Sequence, residues 1–554
     1  MPLASVPEGW SLSAVSPRLH RAWGLGLVAL GVLQGCGGSE SRHAAPGNEG
    51  AGASDSAEGT SSWAPRIVDG PRALPVGPHA PLSWRLELST DRPTTVSAEL
   101  VADGETLHRR WDEPATDHVL PLVGLLPETR FELTVRVQDE HGEASAETSL
   151  TTEGLPFPWP TLEVLAHAPD RMEPGLTLMP LQAGEQEQFV GALDERLRWR
   201  FVLRTEDKVN DVRLEGDDLW LIAGSAVERR DLLGEVLGRW QSAPEGDAIG
   251  VDVEGDFHHE VIPGDEGFLT LTRRSVEVDD YPSVSDPLGP GYPATLMVPE
   301  IVEVALDGTV TERVRLDEVL DVRRVAYDSD TPSPMGLDWG HGNAVIPDGP
   351  EHWIVSLRHQ DALVRLARDG TVDWILANPD GWPEALADKR LAPADPELVW
   401  PFHQHAPERL EDGGLLVFDN GNYRSTPYGP LSLEPQYSRL VVFDVDAEAR
   451  TVATRWTLDV TPTTGRLFSF AMGDADSLPN GNILAVYGHL AGEAGVPNAA
   501  TGRGDTHARV LEVDPETGEA VLDIRLSSRA EVVPLGWRVY RAQRIEGLHA
   551  SILD

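Results

Sequence analysis

From about residue 64 onward, short apolar runs alternate with polar positions, and much of the chain repeats with the two-residue period of strands that bury one face. The runs Leu82–Leu88, Thr95–Val101 and Arg130–Val137 follow this period between Pro, Gly and Asp turns, which predicts a small β-sandwich over residues 64–155. The Pro-rich stretch Leu155–Thr161 reads as a stiff linker. From about Leu162 a looser unit recurs: a polar loop, an apolar strand after a turn pair, a second strand carrying acidic residues, then another turn. Runs beginning at Asp217, Glu266, Glu351, Gly413 and Asn480, with a weaker one at Gln188, give six such units. No 3.6-residue stripe accompanies them, so a helical reading fails. An all-β chain of this length limits its exposed edges by radial repetition, which predicts a six-bladed β-propeller over residues 162–554.

The turns carry their own chemistry. Asp307-Gly308, Asp369-Gly370 and the run ending at Gly518 supply the positive φ that a tight hairpin needs. The stretch Gly124–Gly142 resembles the corner and late strands of fibronectin type III modules. No chemistry is assigned to it.

The N-terminal segment is of a different kind. Arg18 and Arg21 precede the apolar run Ala22–Leu33, which is too short to span a bilayer but suits a signal peptide. It ends in Leu33, Gln34, Gly35 and Cys36, which resembles a bacterial lipobox. Residues 1–35 are therefore expected to be a lipoprotein signal peptide, Cys36 the lipidation site, and residues 36–63, rich in Gly, Ser, Ala and Glu, a flexible acylated tether. The reading places the protein in the bacterial cell envelope, anchored by lipid. Gly37 after the cysteine favours the outer membrane, facing the periplasm or the surface.

Cys36 is the one cysteine among 554 residues, which excludes an intramolecular disulfide framework, a Cys-rich zinc site and an iron–sulfur centre. A formal net charge of −45 excludes nucleic acid as a partner, because such a surface repels phosphate backbones. An anionic small substrate then needs a local pocket of Arg and His working against the global field.

Three histidines meet that need. In a propeller the entry loops of the inner strands converge on the central channel. His405 lies ten residues before Leu415, His258 ten before Phe268, and His341 eleven before His352, so all three fall at one blade position. In a fourth unit Gly473 takes that place, so the turn itself does not require imidazole. Arg358 and Arg274 lie six beyond His352 and Phe268, and Asn343 lies two beyond His341. Neutral imidazole is a nucleophile and proton shuttle, and Arg clamps a tetrahedral anion. The set therefore points to transfer of an anionic group. Two other readings stay open at this stage: histidines that merely tie loops together, and a zinc site of His258, His341 and His405 with Glu260 as a fourth ligand or base. A calcium- or quinone-dependent dehydrogenase is disfavoured for want of an acidic constellation.

Trp339–Val345 with Ile354–Arg358, then Gln404-His405, Leu415–Gly421 and Tyr437–Arg439, resemble the bacterial arylsulfate sulfotransferases. Phe257–Glu260 and Tyr540–Arg544 are similar too, and the resemblance covers about residues 162–554. It implies a propeller behind a small sandwich that moves a sulfuryl group from a phenolic sulfate ester to a phenol, with no cofactor and no nucleotide sulfate donor. It implies His405 as the nucleophile of a sulfohistidine intermediate and His258 or His259 as a second catalytic histidine. His341, Asn343 and Arg358 would hold the sulfate, with Arg274 as a further binding candidate. The disulfide of some relatives has no counterpart here. A ligand-binding or scaffold propeller without turnover is the alternative, and whether the chain forms a homodimer is left open.

Overall fold

The structure, a computed structural model, describes residues 63–184, 187–432, 434–491, 506–528 and 536–548. The expected signal peptide, Cys36 and nearly all of the tether lie outside the described residues. Among those described, no helix is long and apolar enough to cross a membrane.

The N-terminal module is a five-stranded antiparallel sheet. Its long strand Trp84–Ala102 pairs near its start with Ile67–Pro75, along its length with Glu105–Leu122, and near its end with Arg130–Asp139. Alternation places Leu86, Leu88, Val96, Ala98 and Leu100 on one buried face, against Phe131, Leu133, Val135 and Val137. Glu105 then reaches out of this module to Arg198, 3.0 Å away, and to Arg200. The segment after it is more than a spacer: Trp159 is buried edge-on against Phe189, Trp199 and Trp537, with centroids 4.9–6.5 Å apart.

Six sheets follow. The inner strands Val209–Glu215, His258–Gly264, Gly342–Pro347, His405–Arg409 and Asp474–Ser477 open the second to sixth sheets, each in contact with the next. The predicted apolar runs are the strands that follow them, such as Gly267–Tyr281, His352–Leu357 and Leu415–Asp419.

The first sheet differs. Its strand Leu176–Ala183 is paired on the inner side by Trp537–Val539 and Gln543–Ile545 from the C-terminal end of the chain. In exchange Thr161–His167 forms the outer strand of the last sheet, against Ala520–Ser527. The circle is thus closed at two places by segments far apart in sequence. Both closures bury apolar side chains in one cluster that includes Leu181, Trp199, Leu522, Trp537 and Val539.

Candidate active site

The expected histidines all sit where inner strands begin. His258 and His405 are the first residues of their strands, and His341 immediately precedes Gly342–Pro347. The structure brings them together with residues the spacing rule did not select. The His259 ring lies 4.9 Å from His341, and the Tyr540 ring lies 5.7 Å from His259 and 6.1 Å from His405. His259, His341 and His403 have φ of 68°, 44° and 53°. Left-handed backbone costs a residue bearing a Cβ, and it persists where the surroundings hold it for function.

His405 is 2 % exposed, and its tautomer is fixed by its neighbours. The Asn420 amide nitrogen donates to the carbonyls of Ser469 (2.9 Å) and Met472 (2.7 Å), so the Asn420 oxygen must accept. It lies 2.6 Å from His405 Nδ1, which also faces the His403 carbonyl at 3.2 Å. Nδ1 therefore carries the proton and Nε2 the lone pair. Burial, helped by the positive charge of Arg358, holds this ring well below the usual histidine range. At neutral pH it is an uncharged nucleophile.

Arg358 is buried with its Nη2 donating to the Phe470 carbonyl at 3.2 Å, and its Nη1 is 3.9 Å from Asp328. The same carboxylate faces His403 Nε2 at 3.2 Å, while His403 Nδ1 meets Asp361 at 2.7 Å. Burial alone would lower His403, but Asp361, together with Asp328, more than offsets it and raises the ring above its ordinary value. His403 thus belongs to a buried ionic layer behind Arg358.

His341 donates from Nδ1 to the Asp338 carboxylate at 2.5 Å. Burial would raise that carboxyl, but His341 overrides it and keeps Asp338 ionised. His258 and His259 face each other through their Nδ1 atoms at 2.7 Å, so one donates and the other accepts. Burial pushes His258 down to about 3, with Arg273 adding to it; burial also lowers His259, with His258 and His341 contributing. The pair is uncharged at neutral pH.

One expectation needs correction. Arg274 lies 3.4 Å from Asp317 and 3.9 Å from Glu318, away from the histidines. Its neighbour Arg273 instead lines a cavity of about 10 Å³ with His258, His259, Asp338 and His341. The strand that begins at Gly267 runs on to Tyr281, with Arg274 paired to Val298 in mid-strand, whereas His352–Leu357 ends just before Arg358, so the same count of six does not carry Arg274 to the loops. Asn343 is 0 % exposed, and its amide donates to the Gln404 carbonyl at 2.7 Å. It thereby holds the residue before His405.

The alternative zinc set of His258, His341 and His405 is not the one whose donor atoms meet. Among the described residues, Asp338, His341 and His359 bring metal-ligating atoms within 4.8 Å of one another. Their geometry suits hydrogen bonding better. The Asp338 carbonyl lies 2.7 Å from His359 Nδ1, and the His341 and His359 rings stack at 4.5 Å with planes 29° apart, which aims their lone pairs side by side. Glu260, the proposed fourth ligand, pairs with Arg213 at 2.8 Å and with Arg541.

The arylsulfotransferase (ASST) family matches residues 161–538. Arylsulfate sulfotransferase AssT of Escherichia coli O6:H1 is 27% identical over 275 residues, covering 41% of this chain and 43% of that protein. The protein of that name from Lelliottia amnigena is 28% identical over 205 residues, covering 33% of this chain and 32% of its own length. The alignments thus span less than half of either relative. Among solved structures, a streptogramin B lyase has 10% identity and a TM-score of 0.29, covering 67% of this chain and 98% of its own.

Proposed function

The chain belongs to the arylsulfotransferase family, and on that premise we propose that it moves a sulfuryl group from a phenolic sulfate ester to a phenol through a sulfohistidine at His405. The observation that carries this reading is the fixed tautomer of His405: Asn420 accepts a hydrogen bond from Nδ1–H and leaves Nε2 free to attack, beside the positive charge of Arg358. Nε2 forms a bond to sulfur as the ester S–O bond breaks and the phenolate leaves. Arg358 stabilises the charge on the sulfuryl oxygens in the transition state. His341, whose Nδ1 donates to the ionised Asp338, acts as the imidazolium: its Nε2 gives a proton to the leaving phenolate oxygen, and the incoming phenol returns one to it in the second half-reaction. The acceptor then removes the sulfuryl group from Nε2, which predicts ping-pong kinetics.

We read the six sheets as the blades of a propeller and the N-terminal module as a fibronectin type III-like sandwich in front of it. The lipobox-like sequence at Cys36 supports a lipid-anchored protein of the cell envelope, meeting small aryl sulfates and phenols there. The experiment is incubation with 4-nitrophenyl sulfate and an acceptor phenol. Nitrophenol release that depends on the acceptor and is lost in His405→Ala supports transfer. Release unaffected by that substitution removes His405 from the nucleophile's role, and no release with any aryl sulfate favours a binding protein.

A further inference from the structure

Arg541 lies between the two short C-terminal strands that complete the first sheet, and it is 4 % exposed. It is bonded to the immediate surroundings of each entry histidine. Its Nη1 pairs with Glu260, the residue after His259. Its Nη2 donates at 3.0 Å to the carbonyl of Asn343, two residues after His341. The amide of that same Asn343 donates at 2.7 Å to the carbonyl of Gln404, the residue before His405. Gln404 is fixed further by its side chain, which donates to Ser356 Oγ at 3.0 Å and to the Ala362 carbonyl at 2.9 Å. One guanidinium thereby ties together three inner strands from three different sheets.

The tie matters because the backbone it holds is strained. His259 and His341 sit at positive φ, a conformation that relaxes unless neighbouring bonds determine it. Arg has the geometry for this: a planar fork that satisfies a carboxylate with one nitrogen and a carbonyl with the other. Lys in the same place could make one of the two bonds. Tyr540, the preceding residue, lays its ring against both His259 and His405, so the same segment supplies the floor between them.

We propose that Arg541 is a positioning residue that sets the mutual placement of His259, His341 and His405, so that the site is complete only when the C-terminal strands have docked. The proposal rests on the sulfotransferase reading for its kinetic consequence but not for its structural one.

The test uses the full chain. Arg541→Met leaves Glu260 buried with one partner fewer and destabilises the fold, so by itself it does not separate positioning from stability. The double variant Arg541→Met with Glu260→Met removes the buried carboxylate as well and leaves Arg213 to its other partner, Asp211, 3.4 Å away, so part of the thermal stability returns. Positioning predicts that kcat for 4-nitrophenyl sulfate stays down by about 100-fold in the double variant while KM changes by less than about threefold. Arg541→Lys should recover part of the rate. A double variant with wild-type kcat overturns the proposal. The second readout is ¹⁵N NMR of the histidine rings, which needs no turnover. The resonances of His259, His341 and His405 should shift or broaden in both Met variants, and unchanged resonances overturn the proposal. Absence of nitrophenol release by the wild-type protein counts against the sulfotransferase reading alone, and the ring spectra still decide the role of Arg541.

Discussion

Asn420 spends both amide hydrogens on main-chain carbonyls, so one acceptor remains, and it faces His405 Nδ1. Replacing Asn420 with Ala lets the ring adopt either tautomer and turn. We expect kcat to fall by about 100-fold with little change in KM, because the group acts on the nucleophile and not on the bound ester. Unchanged steady-state kinetics would remove Asn420 from the mechanism. At this scale the sequence was informative where one rule sufficed. The spacing from His405, His258 and His341 to the following strand placed all three at inner-strand entries. The same rule failed for Arg274, because counting does not show that its strand continues to Tyr281 where the one before Arg358 stops. It also could not tell that the Asn343 amide bonds to the carbonyl of Gln404. His359, His403 and Asn420 were missed because their roles come from partners on other sheets or loops. Asn420 did lie within the run Leu415–Gly421 that carried the family resemblance, so its position was available although its role was not.

The strands were more legible than the way they close. Each predicted apolar run became a strand, since alternation between turns is a local property. The weak run at Gln188 has a physical explanation: its sheet takes its inner strands from the C-terminal end, so the local entry strand seen in the other units is missing there. A pairing such as Trp537 with Ala183 leaves no local trace in the chain. The closure also has an energetic signature. Trp537 is 1 % exposed and packs against Trp159. Trp537→Ala should cost about 3–5 kcal/mol in denaturant unfolding, as expected for a large buried aromatic. It should also lower kcat, because Tyr540 and Arg541 follow directly. A stability loss under about 1 kcal/mol would show that the C-terminal strands do not hold the circle.

Charge acts on the molecule as a whole. A net charge of −45 opposes the approach of an anionic ester such as the proposed substrate. Raising salt from about 10 to 150 mM shortens the Debye length to roughly 8 Å, so kcat/KM for 4-nitrophenyl sulfate should rise, while the dependence on a neutral phenol acceptor stays flat. A fall in kcat/KM would mean that local attraction dominates the approach. Buried histidines shape the pH dependence of stability. Burial, with Arg538 adding, lowers His489 to about 4, below its unfolded value near 6.5. Between those values the unfolded chain binds a proton that the folded chain refuses. The contribution of His489 is therefore fully present above pH 6.5 and is lost toward pH 4, at up to about 1.4 kcal/mol per pH unit. Asp476, raised to about 7 by burial, works in the opposite direction, so the comparison is a difference. His489→Gln should lose less stability than the wild type on going from pH 6.5 to 4, and parallel curves would contradict the assignment.

The proposed transfer passes through a covalent bond between sulfur and one nitrogen. Rapid acid-free quenching of the wild-type protein with excess 4-nitrophenyl sulfate and no acceptor, followed by peptide mass spectrometry, reads it directly. Transfer through His405 requires a sulfuryl adduct on that residue that accumulates to one per chain and disappears when phenol is added. A burst of nitrophenol without any adduct, or an adduct on another residue, would contradict it.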